Sequence, residues 1–489
     1  MATSAIKDNS LKNSRAFLEN AVQICLGIVA VCLVYAAAMS VANSFRLARQ
    51  PYQFDYEEGN VLNAAVRIND GLTPYAAPRS WPVVLNPYGP IPYFISALLI
   101  RSSEPQFFPP RMTSLVAALI VACEIGLLVR GFSGSMLLGI SFGGFFLTIP
   151  LVQQWEPLLR VDMLGLALSL AGLVVFFRWP RGYLWSWLLF ALALLCKVTF
   201  LAAPVACAAI LIRRKQWREL GRGIMMAAAV LGPAVAALQW STRGAFLFHQ
   251  FGTHVDSFSW ANYENYAAAL LRQTPVLVAL SAIGILRSRR LSEPSIYLLV
   301  AILGTATAVK RGSNSNHFLE LEAALCILAA IGICELQKMK KFPAASAALV
   351  VLCVAILAAE GIGNRAAYSS RGVVDQCPQA YAYIRQHNQV LSENVGALVL
   401  TGRPVLLSNP FVYAQLVRKG KWPIGEVERM LQESRADLVI IGRPSIRDQR
   451  WSQPALAALD ANYHVAQRFV CADATLAYEP NLRQVAPTQ

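Results

Sequence analysis

Residues 21–44 read AVQICLGIVAVCLVYAAAMSVANS, a run without a single charged side chain. A helix needs about 20 apolar residues to cross the hydrocarbon core of a bilayer, and this stretch supplies them. It follows a polar lead, it is long, and no small-residue cleavage site ends it, so it reads as a retained first helix rather than a removable signal. Runs of the same kind recur at 111–129, 133–151, 162–178, 183–197, 199–212, 223–241, 272–287, 295–309, 318–336 and 343–361. Of the 489 residues, 56% are hydrophobic, against about 45–50% in an ordinary soluble chain. The expected fold class is therefore an all-α polytopic membrane protein with about eleven spans.

Basic residues orient it. If the proline-rich stretch 88–100 lies at the surface and the N-terminus (1–20) is cytoplasmic, one face collects nearly every compact basic cluster. These are Lys7/Lys12/Arg15, Arg130, Arg178/Arg181, Arg213/Arg214/Lys215/Arg218/Arg222, Arg287/Arg289/Arg290 and Lys338/Lys340/Lys341. That is the cytoplasmic enrichment of Lys and Arg expected of membrane proteins, and it accounts for the net charge of +15 without nucleic acid, for which no motif is present. The pair Lys310-Arg311 alone falls on the other face. So do the acidic loop 45–110, the turn 153–162, Lys197, and His249, His254 and Asp256.

Beyond residue 363 the composition becomes that of a soluble unit. VLSEN and PVLLSN (404–409) read as short strands and ADLVIIG (436–442) as a buried one. PIGEVERMLQESR has helical spacing, and AQRFVCADATLAYEP reads as a hairpin. The expectation is a membrane unit over 21–362 followed by a small extracytoplasmic α/β domain over 363–489. Cys377 and Cys471 both fall in that domain, whose compartment permits a disulfide; two buried free thiols are the alternative.

The chemistry concentrates in QFDYEEGNVLNAAVRINDGLTPY (53–75). Val61, Ala65, Ile68 and Leu72 follow helical spacing, so Asp55, Glu57 and Glu58 stand at the start of a surface helix, where the dipole favours negative charge. One carboxylate would suffice for a cap, and three are present. Candidate partners on the same face are Arg160 and Asp162 at the start of a span, and Lys197 interrupting an apolar run, where cations are costly and often functional. KRGSNSNHFLE adds Lys310, Arg311, Asn316, His317 and Glu320, a group suited to gripping an anion.

In this order the features resemble the membrane-embedded GT-C glycosyltransferases, in the branch of protein mannosyltransferases, aminoarabinose transferases and RgtA/B/C/D-like transferases. FDYEEGN…NDGLTPY matches that family's acidic pair and following helix, and NPYGPIPYF (86–94), with Tyr88, its proline-aromatic stretch. Arg160–Asp162, Lys197/Thr199 and GSNSNHFLE match later elements. The resemblance covers residues 20–340, and the pair here is Glu57-Glu58 where the family often has Asp-Glu. It implies a hexosyl- or pentosyltransferase of the inner membrane, using a polyprenyl-phosphate sugar and a lipid or glycan acceptor. A carboxylate among Asp55, Glu57, Glu58 and Asp162 would be the general base, with inversion at the sugar. Lys197, Lys310, Arg311 and His317 would meet the phosphate, and a divalent metal on Asp55, Glu58 or Asp162 is compatible with some relatives. The alternative class, a transporter or flippase for lipid-linked sugars, would concentrate ionisable residues at mid-membrane.

Overall fold

The computed structural model describes residues 2–253, 258–287, 291–339, 343–368 and 374–481. Arg289, Arg290, Lys340, Lys341, His254 and Asp256 lie outside the described residues. Each apolar run of the sequence is helical. The helices are α1 (Ala2–Ala48), α2 (Glu58–Asn69), α3 (Pro90–Leu98), α4 (Phe108–Ser133), α5 (Met136–Phe146), α6 (Pro150–Trp155), α7 (Asp162–Arg178), α8 (Tyr183–Cys196), α9 (Ala202–Arg213) and α10 (Trp217–Ser241). The short α11 (Ala245–Leu247) is followed by α12 (Trp260–Gln273), α13 (Pro275–Arg287), α14 (Glu293–Gly304), α15 (Leu319–Gln337) and α16 (Pro343–Tyr368).

Among the described residues four helices are long and apolar enough to cross a membrane, Asn20–Ala48, α4, α10 and Pro343–Asn364, or five if the bent pair α12–α13 is one span. The remaining runs differ from simple spans. The segment 133–151 breaks at Pro150 into α5 and α6 because proline cannot donate into the preceding turn. At Thr274-Pro275 the chain bends by 90° between α12 and α13, and the run 295–309 ends in a 3₁₀ turn over Thr305–Val309. The proline-rich stretch forms only the nine residues of α3, about 14 Å of helix, too short to cross. Apolar side chains face outward on these helices, among them Val31, Met225, Trp240 and Leu286. Water would penalise that surface and hydrocarbon would not. Inside, α4, α7, α8, α13 and α15 pack around Phe142, Phe145, Phe146, Leu166 and Leu328.

Residues 374–481 hold α17 (Cys377–Arg385), β1 (Val390–Ser392), α18 (Val395–Leu400), α19 (Pro410–Arg418), α20 (Glu426–Gln432), β2 (Leu438–Gly442), α21 (Arg447–Arg450), α22 (Gln453–Asn462), β3 (Tyr463–Cys471) and β4 (Asp473–Pro480). The sheet order is β1-β2-β4-β3, with β1 and β2 parallel and the hairpin antiparallel. Cys377 and Cys471 form a disulfide. The expected strand at 404–409 is not in this sheet. Its backbone pairs instead with Val83 of the acidic loop, Val83 N donating to Leu406 O and Ser408 N to Val83 O, both at 2.9 Å.

That contact is one of several that seat the C-terminal segment on the acidic loop. Gln53 accepts a bond from Gly396 N at 2.6 Å and Gln53 N donates to the Tyr381 hydroxyl at 3.1 Å. Helix α2 starts at Glu58 and ends before Gly71, whose φ of +73° stops it. Rather than lying on an open surface, it is buried over its first turns between α3 and α18.

Candidate functional site

The adjacent carboxylates Glu57 and Glu58 part company in the fold. Side chains one residue apart on a helix point about 100° away from each other, and Glu58 turns inward to Arg111. Both are fully buried. Glu58 Oε1 accepts from Arg111 Nε at 2.7 Å and Leu159 N at 2.8 Å, and Oε2 from Arg111 Nη2 and Phe54 N at 2.8 Å and Asp55 N at 3.2 Å. Arg111 also donates to Gln50 O and Tyr52 O at 2.6 Å and is flanked by the rings of Phe54 and Phe107. These bonds engage both carboxylate oxygens and fix the loop that carries Asp55 and Glu57.

The second group centres on Arg160 and Asp162. Arg160 Nη1 donates to Asp55 Oδ1 at 2.7 Å and Nη2 to the Tyr88 hydroxyl at 2.9 Å. Its guanidinium lies against the Trp155 ring, 4.9 Å from the centroid. Asp162 Oδ1 accepts from Lys197 Nζ and from Asn316 Nδ2, each at 2.8 Å. Tyr88 reaches this group because Gly89 N donates to Cys196 O at 3.1 Å. A Cβ on Gly89 would collide with the Leu195 carbonyl, so only glycine lets α3 dock backbone to backbone on the end of α8. Some buried atoms here have no hydrogen-bond partner among the described residues: Arg160 Nε and Asp162 Oδ2, which face each other as an ion pair at 3.5 Å, Asn316 Oδ1 and, beside Glu57, Asn60 Oδ1. Buried polar atoms are normally satisfied, and a ligand or water would complete this network.

Glu57 stands at the edge of this group with no ion pair among the described residues. Its Oε2 accepts from Asn60 Nδ2 at 3.0 Å and its Oε1 from Asn409 Nδ2 at 2.8 Å. Asp55 Oδ1 accepts from Glu57 N at 3.1 Å. Burial raises the Glu57 carboxyl above the ordinary range. The Arg160 charge and the two amide donors pull it down, while Asp55 adds to the rise.

The remaining candidates divide. His317 bonds to Thr307 Oγ1 at 2.7 Å through Nδ1. Burial, reinforced by Lys197, Lys310 and Arg160 and opposed by Asp162, pushes its imidazole well below the usual range. Lys310 lies close enough to His317 to contribute to that shift. Arg311 is exposed and its field falls on Arg418 of the C-terminal segment. Glu320 is apart from the cluster, between α7, α14 and α15, accepting from Ser169 Oγ at 3.1 Å. Among the described residues no three His, Cys, Asp or Glu side chains converge as a metal would require. The proposed ligands fit one poorly: Asp55 and Asp162 are each taken by a cation, and Glu58 has both oxygens engaged.

No protein-family model matches the sequence, and no curated protein matches it. Solved structures do. ArnT from Cupriavidus metallidurans bound to undecaprenyl phosphate superposes with a TM-score of 0.61 at 12% identity, over 93% of this chain and 99% of that one. The chain shares its fold with that ArnT structure over nearly the whole of both. The archaeal oligosaccharyltransferase AglB from Archaeoglobus fulgidus, in complex with an inhibitory peptide and a dolichol-phosphate, gives 0.55 at 13% identity over 94% and 75%. A crystal of that oligosaccharyltransferase with Zn and sulfate gives 0.53 at 14% identity over 92% and 73%. At such identities the likeness is one of fold.

Two site residues escape sequence reasoning. Arg111 opens an apolar run after two prolines and looks like an ordinary helix-end cation. Asn409 sits more than three hundred residues from Glu57, in NPFVYAQ, where Asn before Pro signals only a helix cap.

Proposed function

We propose that this chain is an integral membrane glycosyltransferase that moves a sugar from a polyprenyl-phosphate donor to an acceptor hydroxyl. The observation that carries the reading is a carboxylate free of ion pairs beside a group of cations. Among the described residues Glu57 has amide donors but no ion-pair partner, whereas Arg160 pairs with Asp55 and Asp162, and Lys197 with Asp162. A base must be unpaired to accept a proton, and burial moves its basicity toward a useful range. A departing phosphate needs positive charge already in place.

In the proposed step the Glu57 carboxylate takes the acceptor's hydroxyl proton as its oxygen bonds to the anomeric carbon. The bond from that carbon to the phosphate oxygen breaks, and the phosphate leaves with the electron pair. Lys197, held by Asp162, and Arg160, held by Asp55 and Tyr88, meet the new charge, with Lys310 at the rim. A single displacement inverts the anomeric centre. Asp55 and Glu58 serve the geometry, Asp55 by orienting Arg160 and Glu58 by anchoring the loop.

The reading also places the N-terminus in the cytoplasm and residues 363–489 outside, with the site at the outer end of about eleven crossings. A donor that remains attached to a membrane lipid suits such a site. The solved structures with undecaprenyl phosphate and dolichol-phosphate support the class of lipid. The test is incubation of purified protein in lipid with labelled polyprenyl-phosphate pentoses and hexoses and a lipid or glycan acceptor extract. Wild type is expected to consume one donor, with Lys197→Met raising the donor KM and lowering kcat. Turnover by Lys197→Met indistinguishable from wild type would remove the phosphate role from this lysine.

A further inference from the structure

Asn409 is fully buried at the tip of the C-terminal segment, and all of its side chain is spoken for. Its Oδ1 accepts from Val412 N at 3.1 Å, capping α19, and from the Tyr56 hydroxyl at 3.3 Å. A backbone N–H can only donate, so the oxygen is fixed on that side and the amide nitrogen must face Glu57 Oε1, 2.8 Å away. Tyr56 is held in turn, accepting from Phe411 N at 3.0 Å under the guanidinium of Arg450, which pairs with Glu393 after β1. The backbone pairing of 406–408 with Val83 and the Gly396–Gln53 bond clamp the same segment onto the acidic loop.

We infer that Asn409 is a positioning residue supplied by the C-terminal segment, which holds the Glu57 carboxylate in its working orientation. This rests on Glu57 being the base. Cap geometry alone would need only the oxygen of Asn409; among the described residues the amide nitrogen bonds only to Glu57. The charged and titratable groups facing Glu57 are Asp55, Tyr56, Tyr88, Tyr93 and Arg160, with Glu393 and Arg450 behind Tyr56. Among the described residues only Asn409 and Asn60 donate to its oxygens.

Two substitutions separate the amide donor from the cap. Asn409→Ser keeps a capping oxygen and withdraws the amide N–H from Glu57. Asn409→Asp keeps the shape and both acceptor roles but sets a carboxylate against Glu57. The readout is sugar transfer by the full chain in lipid, with kcat and donor KM taken separately and the unfolding midpoint of each variant measured beside them. A misaimed base lowers kcat without changing how the donor binds, so both variants should lose about tenfold or more in kcat with KM and unfolding midpoint near wild type. A wild-type kcat in both variants would overturn the inference, as would loss of the folded C-terminal segment in both, since Asn409 would then be structural only. Glu57→Gln is run beside them: if it leaves transfer intact, the base assignment fails and the inference with it, whereas an inactive Glu57→Gln with both Asn409 variants at the wild-type rate overturns the inference alone.

Discussion

Glu57 and Glu58 illustrate what a single position along a helix can decide. Glu58 forms a buried pair with Arg111 and takes further bonds from backbone N–H groups. Breaking one side of such a pair costs about 3–5 kcal/mol. Glu58→Gln is expected to lower the thermal unfolding temperature by several degrees, while the fraction that stays folded still transfers sugar. Glu57→Gln should do the reverse, leaving stability near wild type and removing turnover. Because burial raises the Glu57 carboxyl and the base works only when deprotonated, activity falls as pH drops through that raised value. The acid limb should therefore lie at higher pH than an ordinary glutamate allows, which a kcat/KM profile would read. Buried Glu156 is pushed up to about 8, chiefly by burial. A group raised in the folded state stabilises fully below its unfolded value and loses that contribution as pH rises through the folded one. Glu156→Gln should thus flatten the loss of thermal stability between about pH 4.5 and 8. That acids crowd residues 53–58 is legible in the sequence; which of them meets Arg111 is not, because adjacent residues differ only in the direction the first helical turn sends them.

At the scale of elements, the site is an assembly of close approaches. Residue 59 must be glycine because a Cβ there would collide with Gly396 N and the Gln53 side chain, where α2 meets α18. Gly59→Val should prise the C-terminal segment from the acidic loop, lowering transfer at least tenfold and the unfolding temperature together. The helices, the hairpin and the buried strand 438–442 were readable from hydrophobic spacing, since each is a local periodicity. The strand expected at 404–409 was not, because its partner is Val83, more than three hundred residues away, and pairing across that distance leaves no local mark. The break at Pro150 was obscured for a related reason: apolar composition continues through it although the helix does not. The Cys377–Cys471 disulfide closes a loop with a sequence separation of 94. Replacing both cysteines by serine should cost the C-terminal segment about 2–5 kcal/mol, seen as a lower unfolding midpoint.

For the whole molecule, the apolar helices and their outward-facing apolar side chains place the chain in a membrane. The order of motifs along the sequence pointed to this fold although each motif is short, because the fold brings Asp55, Arg160, Lys197 and Asn316 into one cluster. The measurement that bears most directly on the account is sugar transfer by wild type and Glu57→Gln, run side by side in lipid with the same labelled polyprenyl-phosphate donor. The account predicts a loss of about 10²-fold or more in kcat, the scale of general-base catalysis, with unfolding temperature and donor binding retained. Transfer by Glu57→Gln at the wild-type rate would contradict it.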